Sequence, residues 1–244
     1  HTIGRRQRQM CIRDSPNGIL KSILEINCLE NKLEVIVLVG NTFEIRKYFN
    51  DIIFPSDDVA LSETFSINRI QEVDNMNSWK INQPIFFQNE DKEYNFYKNN
   101  PHNMSNNDLQ LWKINQAIPF LDNEINGKLN PLELGLKDLI DFNKGCYLGQ
   151  ETMSKIRNVS SLKQEIRVWT AIDSKYNLEF NDKNIYNNEE KEKVVGYITS
   201  INKLGSQTIK GLAIIKRKYL NTEDTFFANN CQISIDKSVG STFL

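Results

Sequence analysis

The chain has 244 residues, 39% of them hydrophobic and 10% aromatic, with a formal net charge of -1. That is enough chain for one large domain or two modest ones with a sizeable buried core, and the near-neutral balance leaves no footprint for nucleic acid or for a membrane surface. Four cysteines, Cys11, Cys28, Cys146 and Cys231, stand apart without paired spacing, which argues for thiols in a reducing compartment and against a disulfide framework or a zinc site. No metal site is expected, and no apolar run approaches the roughly 18 residues that a membrane helix needs.

Residues 1–15, "HTIGRRQRQMCIRDS", carry four Arg where the rest of the chain prefers Lys, Asn and Ile. They read as a non-native segment, the alternative being an Arg-rich, acid-poor transit peptide, and are set apart from the fold. Two apolar runs follow, "GILKSILEINC" and "KLEVIVLV", separated by "LEN", and they predict a hairpin. Asn41 with Glu44 three residues on, then Ile45, Tyr48, Phe49, Ile52 and Ile53 before Pro55, predict a helix. Around Phe65 and Ile67 the pattern returns to alternation, and "NNPHNMSNND" is loop.

A second helix is expected from Ser105, with Asp108 three residues later and Leu109, Trp112 and Gln116 on one face before Pro119. A third is expected from Pro131, with Asn130 as cap and Leu132, Leu136, Leu139 and Ile140 on the buried side. From about Leu162 four alternating runs, "QEIRVWTAI", "VVGYITSI", "TIKGLAII" and "CQISI", are separated by polar turns such as "NDKNIYNNEEKEK", and they predict a small antiparallel barrel. The fold class is therefore α+β, with residues 16–160 as one domain and 161–244 as the barrel.

Between the third helix and the barrel lies "DFNKGCYLGQE", with Cys146 between Gly145 and Gly149. The glycines permit positive φ and close approach of a ligand. Lys144, and the start of a helix in "QETMSKIR", would both favour a thiolate at Cys146. Spacing alone leaves this open against the blander reading, which it favours: a small buried Cys in a glycine-shaped turn.

The segment "WKINQAIPFLDNEINGKLNPLELGLKDLIDFNKGCYLGQETMSKIR" resembles the signature region of the YgfZ family of folate-binding proteins, relatives of the glycine-cleavage T-protein (aminomethyltransferase). The family's K-G-C-Y-x-G-Q-E string is present in full from Lys144 to Glu151. More weakly, "SPNGILKSILEI" is similar to the family's early hairpin and "VGYITSINKLGSQTIKGLAIIKRKYL" to its C-terminal barrel segment. The resemblance implies a T-protein-like folate-binding domain followed by a small antiparallel β-barrel.

It also implies a protein that binds tetrahydrofolate, or a one-carbon derivative, as an accessory factor in iron-sulfur cluster assembly or repair. Its partners would be folate and cluster-assembly or client proteins, among them tRNA-modifying methylthiotransferases. The compartment would be the cytoplasm, or the mitochondrial matrix or plastid in a eukaryote. Cys146 carries the functional thiol, and Lys144, Gly145, Tyr147, Gly149, Gln150 and Glu151 fall at cofactor-binding positions. One Cys cannot hold a cluster alone, so a partner would supply the remaining ligands. Glu133 could accept the N–H donors of a pterin's amino-pyrimidine edge, a solvated glutamate at a helix start being the plainer reading.

Two other functions stand behind this one: a folate-dependent aminomethyl or methyl transferase or demethylase, and a thiol enzyme with no folate role. The chain also departs from the family. Lys113 stands where Arg is frequent and Ala117 where Gly is, and "NVSSLKQEIR" replaces a basic, Gly-containing stretch. The family's beginning, which lines part of the folate cavity, has no counterpart before the hairpin, so the chain reads as truncated at its start.

Overall fold

The computed structural model describes residues 7–14, 18–71, 85–88, 103–119, 123–140, 142, 150–155, 162–172, 182–204, 208–220, 225–229 and 231–236. A three-stranded antiparallel sheet opens the chain, with β1 (Gln7–Asp14), β2 (Leu20–Cys28) and β3 (Leu33–Val39) in that order across it. The expected hairpin is β2–β3, registered from Cys28 opposite Leu33 to Ile23 opposite Val39. The segment set apart in the sequence reading supplies β1, whose backbone runs along β2 from Gln7 opposite Cys28 to Asp14 opposite Leu20.

Helix α1 (Thr42–Ile52) begins where the capping pattern placed it: Asn41 Oδ1 accepts from the Glu44 N–H at 3.2 Å. Of its apolar stripe only Ile45 is fully buried. A short antiparallel pair follows, β4 (Ile67–Ile70) with β5 (Ile85–Gln88). Helix α2 (Asn106–Asn115) is capped by Ser105, which accepts from the Asp108 N–H at 3.1 Å, and turns Trp112 and Ile114 inward. Trp112 is thus a core residue, as a Trp at helical spacing beside Leu109 usually is.

The third expected helix is corrected. Residues 131–135 make a single turn, and Lys137–Leu139 form a short 3-10 turn. The start is capped as foreseen, since Asn130 Oδ1 accepts from the Glu133 N–H at 2.9 Å and Glu133 Oε2 accepts from the Asn130 N–H at 3.1 Å. What ends the turn so soon is Gly135 at φ 72°. The Leu136 N–H reaches back to Pro131 O and the Gly135 N–H to Leu132 O, the paired bonds of a Schellman stop. The buried apolar residues are Leu132, Leu134 and Leu136, while Leu139 and Ile140 are half-buried. A further short helix, α3, spans Gln150–Lys155.

The second half closes a six-stranded antiparallel barrel from β6 (Gln164–Ile172), β7 (Asn184–Tyr186), β8 (Val194–Ile198), β10 (Thr208–Lys216), β11 (Phe226–Ala228) and β12 (Cys231–Ile235). Their order is β6-β12-β11-β7-β8-β10, and β10 pairs back to β6, with β9 (Asn202–Leu204) alongside the start of β10. All four strands foreseen from alternation are present. Missed were β7, β9 and β11, each three residues long; β7 lies inside "NDKNIYNNEEKEK", where the fully buried Ile185 is the one apolar residue flanked by polar ones. A strand that short carries no periodicity to read.

Alternation along β6 and β10 divides two cores. Trp169, Ala171, Ala213 and Ile215 point into the barrel with Ile185 and Ile233. Ile166, Val168, Leu212 and Ile214 point outward and join Ile23, Val39, Trp112 and Leu134 in a second core shared with the first half of the chain. Truncating one such buried Leu or Ile costs about 2–5 kcal/mol, so the barrel and the preceding segments support each other. Also within β6, the buried Glu165 and Arg167 form an ion pair on one strand face, and Arg217 Nε lies 3.6 Å from Glu165 Oε2. Charges this far from water persist only when paired.

Candidate functional site

The capped turn at Asn130–Gly135 places Glu133, the carboxylate that the sequence reading offers to a pterin. Glu133 is 9% exposed, so the expectation of a solvated helix-start glutamate gives way to a carboxylate held inside. Its backbone is tied to the barrel, because the Ile166 N–H donates to Glu133 O at 2.8 Å. The turn therefore rests on β6, and its geometry depends on the barrel being closed behind it.

Leu132, the residue before Glu133, lies in a small separate core with Met153 of α3 and Leu162, against which Ile140 and Phe142 pack. Ile140 and Phe142 precede the Lys144–Glu151 motif and Met153 follows it, so both flanks of the motif meet beside the Glu133 turn. Gly18 completes the packing: a side chain there would begin 3.1 Å from Met153 Sδ. Lys144, Gly145, Cys146, Tyr147 and Gly149 lie outside the described residues, as does the side chain of Gln150. Glu151 is solvent-exposed and joined to Lys155 one turn along α3 at 2.6 Å. That hydrogen bond, with the charge on Lys155, holds its carboxyl below the usual range.

Two more polar groups come to this place that the sequence reading did not select. Glu124 is fully buried. Tyr197, on β8, is half-buried and packs against the shared core. Burial raises its phenol above the ordinary value, and the charges of Glu133 and Glu124 add to the rise. The phenol thus stays protonated well into alkaline solution and remains a hydrogen-bond donor. Nothing local marks Tyr197 in "VVGYITSI"; only closure of the barrel brings it toward two carboxylates from 64 and 73 residues earlier in the sequence.

The other departures have positions as well. Lys113, in the last turn of α2, is half-buried beside Arg69 of β4, and desolvation with the Arg69 charge lowers its pKa. Ala117 sits at φ 50° directly after α2. Cys28 is exposed and Cys231 is half-buried, and neither is joined in a disulfide among the described residues. The hollow beside the end of α1, lined by Ile53, Phe54, Pro55, Asp58, Val59 and Leu61 among others, contains none of the candidate site residues named from the sequence. Among the described residues no helix is long and apolar enough to cross a membrane.

The architecture is that of a small closed antiparallel barrel packed through one outer face against a mixed sheet-and-helix half, with a buried carboxylate turn at their junction. No family model matches the chain. Over 54 residues, 22% of its length, the chain is 39% identical to an Arabidopsis thaliana protein named "Putative transferase At1g60990, chloroplastic". The matched stretch spans 12% of that protein.

Proposed function

We propose that the chain binds tetrahydrofolate, or a one-carbon derivative of it, and serves as an accessory factor for iron-sulfur cluster assembly or repair. Cys146 is the functional thiol in this reading. The observation that carries it is the meeting of the motif's two flanks with the Glu133 turn in one apolar core of Leu132, Met153 and Leu162. A buried carboxylate there suits the amino-pyrimidine edge of a pterin, since a carboxylate accepts two N–H donors side by side. One Glu133 oxygen is already engaged by the Asn130 N–H, which fixes the direction in which the group presents its remaining lone pairs. Glu151, turned toward Lys155 on the surface, suits contact with the outer part of such a ligand or with a partner protein. The clients would be cluster-containing enzymes such as tRNA-modifying methylthiotransferases, in the cytoplasm or in an organelle matrix.

The partial similarity to a protein named as a transferase favours one second reading, a folate-dependent aminomethyl or methyl transferase of the same architecture. Calorimetric titration of tetrahydrofolate into the protein and into Cys146→Ala, anaerobically and with reductant, tests the leading reading. Equal binding by both is the expected result, with folate recognition in the scaffold and the thiol left for cluster or redox chemistry. No binding by either folded protein would overturn it. Folate-dependent loss of a methyl or aminomethyl group from a supplied substrate would move the transferase reading ahead.

A further inference from the structure

The hollow beside the end of α1 has a volume of about 420 Å³ and is lined by the helix end and the chain that follows it. Two of its lining side chains face solvent although they are large and apolar, Phe54 at 67% exposure and Val59 at 56%. Ile52 and Phe65, on either side of them in the sequence, are exposed as well. An apolar patch of this kind, rimmed by polar groups, marks a contact surface.

The exposure is built into the backbone. The Asp57 N–H donates to Phe54 O at 2.9 Å and the Phe54 N–H to Asp57 Oδ2 at 2.8 Å, closing the 3-10 turn Pro55–Asp57, which Asp58 leaves at φ 50°. Beyond Val59, Arg46 of α1 donates to Leu61 O and to Thr64 Oγ1 at 3.3 Å each, and also to Ser62 O. The chain on both sides of Val59 is therefore tied to α1. A ring presented from a fixed backbone loses little freedom when it is covered, which favours binding.

The charges around the hollow have one sign. From Tyr48 to Asn68 the chain carries Asp51, Asp57, Asp58 and Glu63, all exposed, and no Lys, Arg or His. The last turn of α1 holds no basic residue and includes Asp51, although the partial negative charge of a helix C-terminus favours a cation there and disfavours a carboxylate. Of the two cations on α1, Arg46 is committed to the loop and Lys47 does not line the hollow. Such surroundings repel the phosphates of nucleic acid and of anionic lipid and attract Lys and Arg.

We propose that this hollow is a docking site for a partner protein, taking an exposed segment in which one aromatic or branched aliphatic side chain is flanked by Lys or Arg. The apolar side chain seats against Phe54 and Val59, and the cations lie against Asp51, Asp58 and the carbonyl end of α1. The apolar anchor carries most of the affinity, and the acidic rim sets the orientation and the salt dependence. The proposal is independent of the folate reading, since none of the residues assigned to folate or to the functional thiol line the hollow.

A phage-displayed library of random peptides, panned on the whole chain, supplies the probes. The selected peptides are then titrated into the wild type, into Phe54→Ser with Val59→Ser, and into Asp51→Asn with Asp58→Asn. All four positions are exposed, so both variants should keep the wild-type urea midpoint. Peptides with an apolar anchor between basic residues are expected, weakened about tenfold or more by the serine variant and severalfold by the asparagine variant or by raised salt. Selection of no peptide, of peptides without basic residues, or of peptides that bind both variants as well as the wild type overturns the proposal. So does binding to vesicles of neutral phosphatidylcholine that the serine variant abolishes, which would assign the patch to a lipid surface.

Discussion

The turns at 113–118 and 130–136 close with the same backbone pattern and fill its strained position differently. In each, a residue at positive φ lets two N–H groups reach back to the preceding turn: Ala117 and Ile118 to Ile114 O and Lys113 O, Gly135 and Leu136 to Leu132 O and Pro131 O. The second turn has the residue the geometry favours, glycine at φ 72°. The first has alanine at φ 50°, where a Cβ crowds the following carbonyl. Both turns deliver a residue to the junction of the two halves, Ile118 in one and Glu133 in the other. The contrast is between a turn built without strain to hold a polar group and a turn that tolerates strain to bury an apolar one.

Removing that difference at Gly135 should have the largest effect. A Cβ at Gly135 would meet only Ile166 Cγ2 at 3.8 Å, an ordinary contact, so the cost of Gly135→Ala is one of backbone conformation. It should lower the unfolding free energy by about 1–2 kcal/mol and weaken the proposed folate binding through displacement of Glu133. Chemical denaturation and ligand titration on the same preparation check both. If stability falls while binding is untouched, the turn is structural and Glu133 is not a ligand group.

Asn130→Ala comes next. It removes the acceptor for the Glu133 N–H while leaving the Asn130 N–H on the carboxylate, and loss of an N-cap side chain costs about 1 kcal/mol. Asn130→Asp, which keeps an acceptor in place, should recover most of it. Equal losses in the two variants would mean that the cap does not hold this turn.

How far the sequence alone reached follows the same physics. Local signals were legible: Asn41 and Ser105 at helix starts, Asn130 as the cap before Pro131, and the long alternating strands of the barrel. Hidden were features that exist only after closure. The length of the helix after Pro131 was misjudged because the leucines of "PLELGLKDLI" fit a helical stripe as well as a turn and a 3-10 segment, and the stop at Gly135, at φ 72°, went unread among them. The strand at Asn184–Tyr186 owes its existence to pairing with β8 and β11, not to its own residues. Cys146 and its neighbours were named from a motif and lie outside the described residues, whereas Tyr197 and the burial of Glu124 were invisible because their neighbours come from distant segments.

The smallest expected effect decides what the alanine in the first turn is for. Ala117→Gly releases backbone strain of about 1–2 kcal/mol but gives the unfolded chain extra freedom worth about 0.4–1 kcal/mol. It also removes a methyl that is 6% exposed in the shared core. The two backbone terms leave a gain of a few tenths to about 1 kcal/mol, and the lost methyl takes back up to about 0.8 kcal/mol, so a small rise in the urea midpoint at unchanged slope is the expected outcome. A lower midpoint would mean that the buried methyl outweighs the strain. Ala117 would then belong to the core that seats Trp112 and Ile118, and the two turns would differ because their neighbours demand different volumes. A higher midpoint would instead show that glycine suits this backbone in both turns, and that the alanine is a departure the fold tolerates.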